Sequence, residues 1–259
     1  MRIAFFDSGI GGLSVLHQAR AEQPNHHYLY FADSDNAPYG PKPAAEVRDH
    51  IVSACDFLAA EQPDALVVAC NTATAVSIDM LRQRYPFPVF GMEPAVKPAL
   101  AQTERNRVLV MATSLTLQES KLSALLQRVD TTGRCDKLAM DRLVTLAEQG
   151  CFAGAEVEAY LRRQVSHYDL SKYAAVVLGC THFIYFKPLL RAILGQDIVL
   201  VDGNQGTVRH LFNYLRGHLS AGVTQDGIDT PPQAIFYRSG KVAAADVYMH
   251  YLSRLDDCV

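Results

Sequence analysis

Apolar residues in this chain come in short unbroken blocks. Ile3–Phe6, Tyr28–Phe31, Ala65–Ala69, Val108–Ala112, Ala174–Leu178 and Ile198–Val201 carry no polar alternation at their centres and are rich in β-branched or aromatic side chains. Strands covered on both faces read this way, as in parallel sheets flanked by helices. Between the blocks the apolar spacing changes, and Leu13–Gln23, Ala44–Glu61, Thr74–Tyr85, Leu117–Val129 and Gly154–Tyr168 predict helices. Strand–helix alternation predicts an α/β fold with parallel sheets. Ligands of such sheets sit beyond the carboxyl ends of the strands, so the residues that follow each block carry the chemical interest.

The pattern also occurs twice. RIAFFDS, starting at Arg2, has an echo in RVLVMAT, starting at Arg107. ALVVACNT, starting at Ala65, has an echo in AVVLGCTH, starting at Ala175. Two such units in matching order predict a duplicated, pseudo-twofold pair of similar α/β domains facing each other across a cleft. A boundary is expected near Gly91-Met92-Glu93-Pro94, after the Pro86-Phe87-Pro88 turn and a short strand at Val89–Phe90. The return crossing is expected near Val201-Asp202-Gly203-Asn204. Residues 1–92 plus 205–259 would then form the first domain and 93–204 the second.

Composition narrows the function classes. The chain has 259 residues, 49% of them hydrophobic, enough for a sizeable core. A formal charge of −3 does not favour a nucleic-acid surface, so no nucleic-acid partner is expected. The start MRIAFFDSG lacks a signal-peptide pattern, and no run of about 18 apolar residues occurs, so no membrane partner and a cytoplasmic location are expected. Six cysteines there are expected to be thiols. No CxxC spacing occurs, which argues against a closed zinc site.

Two of those thiols stand out. Cys70 follows the block at 65–69, with Asn71 and Thr72 next to it and a helix pattern behind. A lone cysteine at a strand end is most economically a small packing residue. A helix N-terminus, however, favours a thiolate, and Asn71 or Thr72 would suit as its cap. Cys180 has the matching place after Gly179, which permits close backbone approach, and before Thr181 and His182. A histidine two residues away can orient a thiol or exchange a proton with it. Two thiols on opposite sides of an amino-acid Cα could invert it: one thiolate removes the proton and the other thiol donates one to the far face. Free cysteine has a pKa of about 8.5, so one partner must be pushed toward thiolate. Asp7 and His182 are the natural tuners. An ionised Asp7 would oppose a nearby thiolate, so it must either hold a proton or bind the substrate ammonium.

Other strand ends offer donors. Asp7-Ser8-Gly9-Ile10-Gly11-Gly12 can present Ser8 and backbone N–H groups to an anion, or can be a tight turn that needs glycine. Ser14 breaks the GxGxxG dinucleotide pattern, although Asp33 stands where a ribose-binding acid would. Tyr39 and the Gly40 amide, in Pro38-Tyr39-Gly40-Pro41, can bind a carboxylate, although the composition is that of a simple turn. Thr113, Ser114 and Thr116 offer hydroxyls, or a plain helix start. Glu148, near a helix end, reads as a solvated surface acid. Ser8, Asn71, Thr72 and Thr181 are candidate donors to an α-carboxylate whose carbanion-like transition state needs stabilising. No Schiff-base lysine is identifiable at these strand ends, so no pyridoxal site is evident.

FFDSGIGGLSVL, NAPYGPK, ACNTATA, GMEPAVKPA and GCTHF, in this order, resemble the cofactor-independent glutamate racemases of the aspartate/glutamate racemase superfamily. The resemblance spans nearly the whole chain. It implies two α/β domains around a cleft, no cofactor or metal, and Cys70 and Cys180 as the acid/base pair. It implies that Asp7, Ser8, Tyr39, Gly40, Asn71, Thr72, Thr181 and His182 contact substrate or tune the thiols. It further implies that Glu148 is the family's acid near the second thiol, that Thr116 contacts substrate, and that the product is D-glutamate for peptidoglycan. Four stretches depart from the family pattern, one of them Asp136-Lys137 after Cys135, where proline is usual. A GTxGT-like segment reads Ala112-Thr113-Ser114-Leu115-Thr116. Thr145-Leu146-Ala147 replaces Pro-Leu-Val before Glu148. Ile184-Tyr185-Phe186 replaces Pro-Leu-Leu after GCTHF. Racemisation of aspartate, or a ligand-binding relative without turnover, are the alternative readings. The sequence does not set the assembly, and a homodimer is one option.

Overall fold

The computed structural model describes residues 1–102, 106–219 and 234–258. Among the described residues ten strands form two sheets: β1 (Arg2–Asp7), β2 (His27–Ala32), β3 (Ala65–Val68), β4 (Val89–Gly91), β5 (Arg107–Ala112), β6 (Cys135–Ala139), β7 (Tyr173–Leu178), β8 (Val199–Val201), β9 (Ala234–Arg238) and β10 (Lys241–Val242). The first sheet runs β10-β9-β2-β1-β3-β4 and the second β6-β5-β7-β8. Every pairing is parallel except β10 with β9. The two sheets share one strand order, second-first-third-fourth, which matches the echo between the two halves of the sequence.

The helices are α1 (Leu13–Glu22), α2 (Ala44–Ala60), α3 (Asn71–Arg84), α4 (Val96–Leu100), α5 (Ser114–Gln118), α6 (Ser120–Val129), α7 (Asp141–Glu148), α8 (Ala155–Val165), α9 (Lys187–Leu194), α10 (Asn204–Leu219) and α11 (Ala245–Leu255). The apolar blocks are strands as expected and are buried, except that β8 lies at a sheet edge with Val199 43% exposed and Leu200 and Val201 only partly covered. Two expectations need correction. The helix expected over 117–129 is two helices, because Glu119 is extended, with ψ 141°. The helix expected from Thr74 begins at Asn71, and its cap is neither Asn71 nor Thr72 but Cys70, whose sulfur accepts the Ala73 N–H.

β9 pairs with β2, so the C-terminal part of the chain extends the first sheet. Residues 220–233 and 259, inside the C-terminal segment expected to join the first domain, lie outside the described residues. No helix among the described residues is long and apolar enough to cross a membrane. Close packing continues through both halves: one buried cluster holds Ile3, Phe5 and Met92 together with Leu109, Met111 and Cys180.

The carboxyl ends of β1, β3, β5 and β7 meet at one place: Asp7 ends β1, and Cys70, Thr113 and Cys180 come after β3, β5 and β7. Gly179 sets how closely β7 lies on β5 there. A Cβ at Gly179 would sit 2.8 Å from the Met111 carbonyl oxygen and 3.2 Å from the Ala112 Cβ. Backbone cannot yield as a flexible side chain can. Gly179→Ala should therefore destabilise the fold by about 1–3 kcal/mol, read as a lowered midpoint in thermal unfolding.

Candidate active site

Each thiol is placed by the turn that follows a central strand. Cys70 is buried at the N-terminus of α3. Its sulfur accepts the Ala73 N–H at 3.4 Å and lies 3.6 Å from the Ser8 hydroxyl. Burial, with the Asp7 charge adding to it, pushes the Cys70 thiol up to about 12. The helix end lowers it by less than burial raises it.

Cys180 is buried too, but its local device differs. A 3-10 turn over Thr181–Phe186 follows it, and its side chain makes no capping bond there. The expectation that Cys180 repeats the setting of Cys70 thus holds for the strand and not for the turn. In place of a cap, His182 Nδ1 lies 3.7 Å from the sulfur. His182 Nε2 donates to Glu148 Oε1 at 2.6 Å, and the same oxygen accepts the Ile10 N–H at 2.8 Å. Burial opposes a charge on His182, yet the bonds to Cys180 and Glu148 outweigh it and hold the imidazole well above its ordinary range. Glu148 is therefore not a solvated surface acid. Its side chain is 19% exposed and anchors the histidine of the second thiol.

Asp7 and Thr181 join the two sides. Asp7 accepts the Gly9 N–H at 2.9 Å and the Thr181 hydroxyl at 3.0 Å. Burial raises its carboxyl above the usual range, although His182, Gly9 and Thr181 pull the other way. A carboxyl biased toward its acid form weakens the repulsion it would exert on a Cys70 thiolate. The glycine-rich turn earns its composition by close approach: a Cβ at Gly9 would fall 1.8 Å from Glu148 Oε1, and one at Gly11 2.4 Å from Thr181 Oγ1.

A second contact between the halves is made of threonines. Thr72 Oγ1 lies 2.9 Å from Thr113 Oγ1 and 3.2 Å from Thr116 Oγ1. Thr113 caps α5 by accepting the Thr116 N–H. The Asn71 side chain donates to the Met92 carbonyl at 3.1 Å, tying the start of α3 to the crossing between the halves. Tyr39 is buried, and its hydroxyl donates to Asp33 Oδ2 at 2.5 Å. Asp33 thus works in the scaffold, also accepting from Asn36, and not as a ribose ligand. Gly40 packs against Thr113 and Asp141.

Sequence reasoning did not single out Asp141, which accepts from the Ser114 amide and hydroxyl. An acid in the first turn of a helix is so ordinary that it carried no signal. Among the described residues no group of three or more His, Cys, Asp or Glu side chains is arranged to hold a metal ion.

Residues 14–211 match the family described as Asp/Glu/Hydantoin racemase. The chain is 45% identical over 241 residues to a glutamate racemase of Halothermothrix orenii, covering 93% of this chain and 94% of the relative. It is 40% identical over 254 residues to glutamate racemase 2 of Bacillus subtilis, covering 97% and 94% respectively. Its fold is similar to the crystal structure of Escherichia coli glutamate racemase in complex with L-glutamate and the activator UDP-MurNAc-Ala. That match has a TM-score of 0.82 and 30% identity, covering 98% of this chain and 94% of that one.

Removing the Glu148 charge should move the titration of His182 to lower pH. With Glu148 present, the imidazolium persists as pH rises past the ordinary histidine range and is lost only at the raised value. In Glu148→Gln the loss begins earlier, by about one pH unit or more for each 1.4 kcal/mol of interaction removed. NMR titration of the His182 ring checks this, and an unmoved midpoint would contradict it.

Proposed function

The chain belongs to the Asp/Glu/Hydantoin racemase family, and from that premise and its paired thiols we propose that it interconverts L- and D-glutamate by two-thiol proton transfer at Cα. The observation that carries the reading is the matched placement of Cys70 beyond β3 and Cys180 beyond β7, in two sheets of the same strand order. The reading treats residues 1–92 with 205–259 and residues 93–204 as two halves that close on the substrate. It needs no cofactor.

The steps balance as follows. In this reading Cys180, beside His182, is the base for one enantiomer, and Cys70, whose thiol burial pushes up, is the acid. Cys180 takes the Cα proton from one face, and Cys70 donates its own to the other. The enzyme is then left with a Cys180 thiol and a Cys70 thiolate, which is the starting state for the opposite enantiomer. The Ala73 N–H and Ser8 hydroxyl receive that second thiolate. Each turnover therefore prepares the reverse reaction, and exchange with solvent resets the pair.

Ser8, Asn71, Thr72 and Thr181 flank the thiols and hold the α-carboxylate and ammonium in this reading. Tyr39, Gly40, Thr113 and Thr116 serve the side-chain carboxylate. Asp7, biased toward its acid form, and the Glu148–His182 pair set the charge balance. The product, D-glutamate, supplies peptidoglycan synthesis, which sets the reaction in the cytoplasm.

In D2O without added cofactor, the wild-type protein should incorporate deuterium at Cα of both glutamate enantiomers, with a higher kcat/KM than for aspartate. Cys70→Ala and Cys180→Ala should each lower racemisation by about 10²–10⁴-fold. Near-wild-type turnover in either variant would defeat the two-thiol mechanism, and preferential turnover of aspartate would reassign the substrate.

A further inference from the structure

One helix, α7, reaches both glycine turns of the first half. Its first residue is Asp141 and its last is Glu148. Seven residues make about two helical turns, so the two carboxylates share a face and stand about 10 Å apart along the axis. Each meets a glycine of the first half: a Cβ at Gly9 would fall 1.8 Å from Glu148 Oε1, and one at Gly40 would fall 2.1 Å from Asp141 Oδ1. At the Asp141 end, the carboxylate accepts the Ser114 N–H at 3.0 Å and the Ser114 hydroxyl. Ser114 follows Thr113, which meets Thr72 across the cleft at 2.9 Å, two residues from Cys70. A space of about 420 Å³ beside this contact is lined by Pro38, Pro41, Asp141 and Arg142, among others.

We propose that Asp141 is a positioning residue that bonds the 113–116 turn and packs it against Gly40 of the 38–41 turn, a latch that closes the cleft before glutamate arrives. Glu148 fixes the far end of the same helix to Ile10 and His182, and Asp141 fixes the near end to Ser114 against Gly40. α7 is held at two points, and the cleft wall cannot pivot about one. In the complex, the substrate itself bridges the halves, so the latch contributes most to the unliganded enzyme. Loss of the latch makes the substrate supply the closure, which weakens binding and leaves the proton-transfer geometry intact. This inference rests on the racemase reading of the site.

The test combines Asp141→Ala, Asp141→Asn, Gly40→Ala and the double variant Asp141→Ala/Gly40→Ala. Thermal unfolding selects the variants that remain folded. Asp141→Ala should raise KM for glutamate about tenfold and change kcat by less than about threefold, the scale of one charge-assisted hydrogen bond lost. Asp141→Asn, which keeps an acceptor for Ser114, should recover part of that loss. Gly40→Ala should raise KM in the wild-type background and by much less beside Asp141→Ala, because the carboxylate it collides with is gone. A wild-type KM in Asp141→Ala, or additive effects of the two substitutions, overturns the latch. Amide hydrogen exchange at 39–40 reads the latch without turnover. It should quicken in Asp141→Ala, and unchanged exchange also overturns the proposal. A wild-type protein that does not racemise glutamate removes the functional reading, while the exchange data still decide the latch.

Discussion

A single carboxylate oxygen, Glu148 Oε1, holds the Ile10 N–H of the first half and the His182 Nε2–H of the second. The rest of the site depends on that double acceptance. A carboxylate only accepts, so Nε2 must carry a proton, and the ring's Nδ1 edge turns to Cys180 at 3.7 Å. Together with the contact to Cys180, the same carboxylate holds the His182 imidazole above its ordinary range against the cost of burial. The approach of the oxygen also explains why position 9 is glycine, since no Cβ fits beside it. Charge, ring orientation and the contact between halves thus come from one group.

The two thiols occupy equivalent places and are tuned by unlike means. Cys70 uses the end of a 14-residue helix, with its sulfur as the cap. Cys180 is followed by a 3-10 turn, which has no comparable array of aligned N–H groups, and uses a neighbouring cation instead. The surroundings are uneven, because burial above all pushes the Cys70 thiol up. A proton-transfer pair requires such inequality, since one partner must hold a proton while the other lacks one. Symmetry in topology delivers the two sulfurs, and the proposed proton transfer draws on the unlike surroundings that the two turns give them.

What was legible in the sequence follows from the same physics. Strands buried on both faces form apolar blocks, and Cys70, Cys180, Asp7 and Ser8 stand directly after such blocks. β6 was missed because it lies at a sheet edge and carries Asp136 and Lys137, which break the apolar run. Asp136 there pairs with Arg107 at 2.5 Å, a partnership between strands that local spacing does not reveal. The role of Glu148 was visible only through family resemblance, since its partners, Ile10 and His182, are far away in the chain. The break at Glu119 was hidden because apolar residues continue at helical spacing on both sides of it.

Two of the departures from the family pattern share one structural consequence. Leu115, where a glycine is expected, is buried in the apolar cluster that contains Tyr39, Cys70 and Ala73 of the first half. Ile184, Tyr185 and Phe186, where Pro-Leu-Leu is expected, are also buried. Tyr185 donates its hydroxyl to the Ile10 carbonyl at 3.3 Å and packs on Phe152 at 4.9 Å between ring centroids. Both stretches therefore add contact between the halves on either side of the thiols. Burying one leucine or aromatic side chain stabilises a contact by about 1.5–3 kcal/mol. Separating the halves to admit a substrate exposes part of that surface to water. These residues thus favour contact between the halves, and the shape of the cleft in this chain is set by packing next to the two thiols as much as by the polar groups around them.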